Sequence, residues 1–309
     1  MKQINEIKKY NELKEYFSEI LSGRSGIPKI LLTDITYTNH IITREENYIS
    51  LAQTGELYRI GKSTQLRDIS KVKLENFFNN HSSEIRNFLP KPPVSMPVGV
   101  PICPFCEREF SGEITIEHVL PKSDAVEYMI TPVNLIVACR NCNTSKHDTM
   151  GSDENTTEIN LYFECFDIAD NIDIVIENNS KLFGEMCPVV KFKKLQENDV
   201  LQNRLETFWD NYNLGNTYTI SAVKIYNELV QCLIRDFQKA GSQEPGLEKL
   251  LILLSQYKTD RQELYESDQR FSEFFWGYRL AEFFISNVYE QNKLFSFICE
   301  QVRPNWPFE

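Results

Sequence analysis

Two CxxC pairs are the clearest chemical signal in the sequence. The four residues are Cys103, Cys106, Cys139 and Cys142. Four thiolates can hold one zinc ion in tetrahedral geometry, and such an ion ties two distant segments of chain together. The separation between the pairs is longer than in a simple zinc ribbon, so further structure must fold inside the loop. We predict a structural zinc site that staples this segment.

The loop between the pairs contains His118, which follows a β-favouring run at 114–116. The chain has only four histidines, and two of them, His118 and His147, belong to this segment. Because Pro121 ends any regular structure, we expect the imidazole of His118 at a strand end, exposed and fixed by the backbone. The alternative is a hydrogen-bonded surface histidine beside an inert zinc knuckle.

The complete pattern resembles the HNH endonucleases of the His-Me finger (ββα-metal) class. It reads C-x2-C, then E-H-x2-P, then N-L, then C-x2-C-N-x2-K, between Cys103 and His147. The phrases IEHVLPKS and CRNCNTSK are similar, more narrowly, to the PtuB-like nucleases of Septu-type and retron-linked anti-phage systems. The regions on either side carry no family signature of similar quality.

The resemblance implies metal-dependent hydrolysis of phosphodiester bonds. His118 would be the general base, because an imidazole titrates close to neutral pH. Glu117 and Asn143 would supply the oxygen ligands that a hard divalent ion, Mg²⁺ or Mn²⁺, prefers. Glu117 stands where Asp or His is commoner, which leaves the metal preference open.

Four polar residues keep two interpretations each. Asn134 orients the loop or the base, as the resemblance implies, or is a turn residue that caps the following run. Asn143 is also a candidate helix N-cap, which is compatible with its role as a ligand. Lys146 contacts a phosphate or is a solvated surface lysine. His147, four residues after Asn143, completes a transition-metal site with Mn²⁺, Ni²⁺ or Zn²⁺, or is peripheral.

The charge balance is unusual for a protein that acts on nucleic acid. The net charge is −11 and the isoelectric point is about 5.1, whereas nonspecific binding depends on Lys and Arg that neutralise phosphates. The segment from Cys103 to Asp148 is itself acidic. Docking therefore requires a basic strip elsewhere, for which Lys191, Lys193 and Lys194 are candidates, or a basic partner protein.

The flanking sequence predicts an α+β fold that is predominantly α, with a small zinc-stapled ββα-metal module between helical regions. We divide the chain into a mostly helical region (1–92), the HNH module (93–155), a β-containing connector (156–197) and a C-terminal helical domain (198–309). The proline-rich stretch 89–101 leads into the module as a linker. Apolar stripes in the last region indicate helix-bundle core or a face that binds a partner.

Local patterns predict the other elements. Residues 1–22 and 66–88 have helical spacing, whereas 30–32 and 40–59 could contain short strands. Two β-like runs follow at 159–168 and 172–177. Four further cysteines lie among apolar neighbours, which indicates buried small hydrophobes; they are Cys165, Cys187, Cys232 and Cys299.

No segment reaches the apolar length that spans a bilayer, and the first residues lack the apolar core of a signal peptide. We therefore expect a cytoplasmic protein. The leading hypothesis is a DNA endonuclease that works with a protein partner, which the defence-system resemblance implies is an ATPase of the ABC or SMC type. The alternatives are a nuclease that acts on RNA and a zinc-stabilised binding module without catalysis.

Overall fold

The structure is a computed structural model, and it is described for most of the chain. The described residues are 4, 6–21, 26–94, 99–110, 112–146, 148, 150–179, 184–197, 199–239, 246–268 and 273–302. They form two compact units. Among the described residues, the first unit comprises those of 4–94, 99–169 and 194–213, and the second comprises those of 170–193 and 214–302.

Helices dominate the first unit. They are α1 (Tyr10–Ile20), α2 (Ile27–Thr33), α3 (Ile35–Gln53), α4 (Lys71–Asn80), α5 (Ser82–Phe88), α6 (Arg140–Ser145) and α7 (Val200–Asn211). The strands are β1 (Gln65–Leu66), β2 (Ile69–Ser70), β3 (Ile114–His118) and β4 (Leu135–Cys139), paired antiparallel as β1–β2 and β3–β4. The order β3–β4–α6 is the ββα module that the sequence predicts.

One hydrophobic core joins the N-terminal helices to the ββα module. Phe17 of α1 and Leu74 of α4 are buried in the same cluster as Leu135 and Val137 of β4. Burial of this apolar area is the main stabilising contribution to such a core. The module therefore packs against α1, α4 and α5, and does not stand alone.

The second unit contains a β-hairpin and a helical bundle. Its elements are β5 (Ile172–Asn179), β6 (Gly184–Phe192), α8 (Leu214–Lys239), α9 (Leu247–Asp268), α10 (Glu273–Ser286) and α11 (Val288–Val302). The strands pair antiparallel. Tyr218 of α8 and Trp276 of α10 are buried, with ring centroids 5.3 Å apart. The predicted apolar stripes of α8 and α10 therefore supply bundle core.

Three local predictions are wrong. Residues 30–32 lie in α2, and 40–53 lie in α3 rather than in strands. Asp34 explains part of the difference, because its carboxylate accepts a hydrogen bond from Thr36 N at 2.8 Å and caps α3. The run 159–168 contains turns and no strand. The β5 prediction is confirmed, although the strand continues to Asn179.

The remaining cysteines only partly follow the expectation of burial. Cys187 and Cys299 are buried, Cys232 is half-buried and Cys165 is exposed. Within the described ranges, no helix combines the length and apolarity that crossing a membrane requires.

Candidate metal centre and active-site cleft

The thiols of the two CxxC pairs converge. All four Sγ atoms lie within 4.8 Å of one another, and those of Cys106 and Cys139 are 3.9 Å apart. A zinc tetrahedron with Zn–S bonds of about 2.3 Å separates its sulfurs by about 3.8 Å. The Cys139 N–H also donates to Cys103 Sγ at 3.4 Å. This donor set fits a zinc ion, and the cluster could hold one.

The thiols crowd one another strongly. Hydrogen bonding to Cys103 is the largest cause that raises the pKa of Cys106 and of Cys142, and it lowers the pKa of Cys139. Ionisation of one thiol therefore opposes ionisation of its neighbours. A divalent cation removes this conflict, because it allows all four sulfurs to be thiolates.

The first CxxC pair lies on a tight turn that α7 supports. The Glu107 N–H donates to the carbonyl of Cys103 at 2.8 Å, and Glu107 has a left-handed φ of 54° that closes the turn. Phe105, between the two cysteines, is fully buried. Its ring stacks on Tyr212 and Phe208 with centroid distances of 4.4 and 6.0 Å. A distant segment thus holds the turn.

The second pair spans the junction between β4 and α6. Cys139 is the last residue of β4 and the N-cap of α6, and Cys142 lies in the first turn of that short helix. Cys139 also pairs with Ile114 at the start of β3. A zinc ion bound here would fix the helix relative to both strands.

His118 is the last residue of β3, as predicted, but it is not exposed. Only 8% of the residue is accessible, and its ring packs against that of Phe78 of α4 with centroids 4.7 Å apart. Nε2 lies 3.0 Å from the Met129 carbonyl oxygen. Because a carbonyl only accepts, this contact assigns the ring proton to Nε2 and leaves Nδ1 with its lone pair.

The electrostatic setting keeps His118 neutral. Burial is the main cause that lowers the pKa of His118 to about 3, and the nearby Lys122 and Lys146 lower it further. The Met129 hydrogen bond acts in the opposite direction. Near neutral pH the imidazole is therefore unprotonated at Nδ1, which is the form that can accept a proton.

Glu117 is buried beside a lysine. Its Oε1 lies 3.2 Å from Lys146 Nζ, whereas Oε2 is buried and has no hydrogen-bond partner among the described residues. Burial raises the pKa of Glu117 to about 7, and Lys146 opposes the rise. An orphaned buried carboxylate oxygen fits a cation ligand, since a bound cation would compensate its charge.

Lys146 is buried beside Glu117 and the end of β3. Its side chain is 5% exposed, and the ammonium donates to the carbonyl oxygens of His118 and Val119 as well as facing Glu117. A lysine has three donors, so all of them are directed at the strand end. It is therefore not a solvated surface lysine, whereas its contact with a phosphate stays a prediction.

Asn134 closes the loop between β3 and β4. Its Oδ1 accepts from Leu120 N at 2.7 Å and from the Tyr48 hydroxyl at 3.0 Å. Its Nδ2 donates to the carbonyls of Leu120 and Tyr128 at 3.1 and 3.2 Å. The carboxamide is fully buried and its hydrogen-bonding capacity is used within the protein. The geometry suits a residue that orients the loop.

Asn143 lies inside α6, where Cys139 and not Asn143 is the N-cap. The predicted capping role is therefore wrong, while the predicted role as a ligand stays a prediction. His147 lies outside the described residues, so its role as a ligand also stays a prediction.

These side chains share one cleft. Glu117, His118, Asn143 and Lys146 all line a cavity of about 300 Å³ in the first unit. Asp148, which the sequence analysis did not select, lines it as well. The cleft thus combines a neutral imidazole with carboxylate and carboxamide oxygens.

Residues 103–149 match the family model of the HNH endonucleases. This segment is an HNH endonuclease domain. The assignment supports a nuclease that acts on phosphodiester bonds, and the ββα geometry places the histidine of the motif at the strand end.

A comparison with curated proteins gives a distant relative of phage origin. The chain is 28% identical to protein ea31 of Escherichia phage lambda over 163 residues. The match covers 48% of this chain and 54% of the relative, so the chain spans about half of the relative's length. No solved structure gives a significant match.

The wall opposite the HNH domain was not foreseen. Phe78 and Asn79 of α4, and Ser82 and Arg86 of α5, line the same cleft. No motif marks these residues, because they are brought to the site only by packing of the helices on the ββα hairpin.

The basic strip that the sequence suggested is largely neutralised. Lys191 Nζ lies 2.6 Å from Glu177, and Lys194 Nζ lies 2.6 Å from Glu206. A cation that is already paired with a carboxylate neutralises a phosphate less well, so its binding releases fewer counterions from the nucleic acid. The strip is therefore a weak candidate for docking nucleic acid.

Proposed function

We propose that the protein is a metal-dependent DNA endonuclease in which His118 is the general base and Glu117 and Asn143 hold the catalytic divalent ion. The observation that carries this proposal is the common cleft, where the neutral imidazole, the orphaned Glu117 oxygen and Asn143 lie together. Asn134 orients the loop that leads away from the base.

His118 performs the proton transfer in this proposal. With its proton on Nε2, held by the Met129 carbonyl, Nδ1 accepts a proton from the attacking water. Phe78 restricts the ring on one side. Approach of an anionic phosphate would favour the protonated imidazole and so would raise its pKa from the value in the free protein.

The residues that would hold the catalytic ion are Glu117, through Oε2, and Asn143, through its side-chain oxygen. A bound Mg²⁺ or Mn²⁺ would supply Lewis-acid stabilisation of negative charge on the phosphate and the leaving oxygen. Lys146 holds Glu117 from the other side and fixes the backbone of His118. We further propose that His147 completes the site when a transition metal is bound. The roles of Glu117 and Asn143 do not depend on it.

The biological setting that we propose is anti-phage defence, in the manner of the PtuB-like nucleases, with an ABC or SMC-type ATPase as partner. The net charge of −11 supports a partner, because the chain alone repels a polyanion at long range. Purification from the native operon tests this point. Recovery of the protein without any associated ATPase would contradict it.

A nuclease assay tests the enzymatic proposal. Plasmid DNA, single-stranded DNA and RNA are each incubated with the zinc-loaded protein and added Mg²⁺ or Mn²⁺, with and without the neighbouring gene product. We expect DNA cleavage by the wild type and none by His118→Gln. Cleavage of RNA alone would select the RNA nuclease. If no substrate is cleaved with either metal, the inert binding module is selected.

A further inference from the structure

Cations without a carboxylate partner are scarce around the active-site cleft. Three cations line it, and Lys146 is occupied by Glu117. The other two, Arg86 and Lys122, form no ion pair with any carboxylate in the described ranges. They are half-buried at the cleft and not extended into solvent, so their charges act on whatever enters it.

Arg86 is fixed at the beginning of β3. Its Nη1 donates to the carbonyl oxygen of Ile114 at 2.8 Å. This single contact orients the guanidinium against the strand and leaves four of its five N–H donors without an assigned partner in the described structure. A planar guanidinium with free donors is well suited to a phosphate.

Lys122 lies beyond the other end of β3, four residues after His118. Its side chain lines the same cavity as His118 and Glu117. Asn79 and Ser82, which also line the cleft, add neutral hydrogen-bond donors. Side chains of this kind commonly contact phosphate oxygens.

The local charge balance favours an anion despite the acidic chain. Glu113 lines the cleft but is paired with Arg140 at 3.1 Å, and Glu117 is paired with Lys146. Among the lining groups, Arg86 and Lys122 are then opposed only by Asp148, which is exposed. The unpaired lining groups are thus two cations and one carboxylate, so the cleft repels an anion less than the acidic chain as a whole does.

We propose that Arg86 and Lys122 form a binding site for the nucleic-acid backbone, in which each holds a phosphate next to the scissile one. Arg86 contacts the first residue of β3, and Lys122 follows the last residue of that strand. A strand of five residues spans about 13 Å. The two residues are therefore placed to face different phosphates of one backbone, with His118 between them along the chain. The inference rests on the proposed function and deepens it.

Binding measurements test this site separately from catalysis. The probes are labelled DNA duplex, single-stranded DNA and RNA, and the protein is the full zinc-loaded chain carrying His118→Gln, which prevents cleavage. Arg86→Gln and Lys122→Gln are added singly, and the dissociation constant is followed against salt concentration by fluorescence anisotropy. The matched control is Lys224→Gln. Lys224 is exposed on α8, and the substitution removes the same single positive charge.

We expect each cleft substitution to weaken binding roughly tenfold at about 0.1 M salt and to lower the salt slope by about 1. Lys224→Gln should match the parent. The probe that binds most tightly identifies which backbone the site takes. Unchanged affinity and slope in both cleft variants, or no binding of any probe, would overturn the proposal.

The outcomes separate this inference from the proposed function. Wild-type cleavage with unaltered binding in the variants defeats only the phosphate site, whereas charge-dependent binding without wild-type cleavage defeats only the nuclease. Lys122 has no hydrogen bond to the described protein, so Lys122→Gln should fold. It decides the question alone if Arg86→Gln, which loses the Ile114 contact, does not fold.

Discussion

The ammonium of Lys146 lies 3.2 Å from Oε1 of Glu117, and the two side chains are only 5% and 4% exposed. The same ammonium donates to the carbonyls of His118 and Val119. One cation thus fixes a carboxylate of the cleft together with the strand end that carries the imidazole. This geometry favours a positioning role for Lys146 rather than direct contact with substrate.

Lys146→Met should destabilise the protein by about 3 kcal/mol, because it leaves the Glu117 carboxyl buried without its partner. Urea unfolding measures the loss. The double variant Glu117→Gln with Lys146→Met should recover much of it, since no buried charge is left unpaired. A loss of stability in the double variant that equals the sum of the losses in Glu117→Gln and Lys146→Met would contradict the coupling.

His118→Ala should abolish cleavage and also lower stability by about 2 kcal/mol, because it empties a buried ring site against Phe78. An exposed histidine, as expected from sequence, would leave melting unchanged. His118→Gln should abolish cleavage with a smaller loss, since its amide can still donate to Met129. Thermal melts beside the nuclease assay distinguish the two, and residual cleavage in either variant would refute the role of the base.

Cys103→Ser or Cys142→Ser should unfold the ββα module, since structural zinc sites contribute on the order of 10 kcal/mol to folding. Zinc content by atomic absorption and far-UV circular dichroism measure the effect. Cys165→Ser is the matched control, because that residue is exposed and outside the cluster. A zinc-free Cys142→Ser protein with native spectra would count against the site.

Glu45 should make stability fall as pH rises. Its oxygens accept from Tyr10 N at 3.0 and 3.1 Å, and burial raises its pKa from 4.5 to about 7. The folded state therefore binds the proton more tightly, and the associated stability is complete below pH 4.5 and lost as pH passes 7. The shift corresponds to about 3 kcal/mol.

Glu45→Gln keeps an acceptor for Tyr10 and removes the titration. We expect its unfolding free energy, measured in urea between pH 4 and 8, to lack the decline that the wild type shows. Parallel curves for the two proteins would mean that Glu45 does not titrate in this way.

Sequence reasoning identified the ββα order, the cysteine cluster and the placement of Glu117 and His118 at a strand end. These features follow from short-range spacing, because a strand, a turn and a short helix fix the directions of their own side chains. The four converging cysteines then bring the two halves together. Local pattern was sufficient for this part of the site.

The environment of these residues could not be read from spacing. Burial of His118 depends on Phe78, which lies forty positions earlier, and the three contacts of Lys146 exist only after β3 and α6 pack. The strands expected at 40–59 were wrong for a related reason. β-branched and aromatic residues there favour strands locally, but the Asp34 cap and packing against the core select a helix.

The wall of the cleft that α4 and α5 form has a consequence for how the substrate preference of such a nuclease can change. The proposed ligands and the proposed base reside in the compact motif, while the opposite side comes from an unrelated stretch of chain. Substitutions in those two helices at positions that do not contact His118 would change the shape of the cleft and leave the residues of the motif in place. Transplanting the motif alone would also remove Phe78 from the ring of His118, so the helices must accompany it.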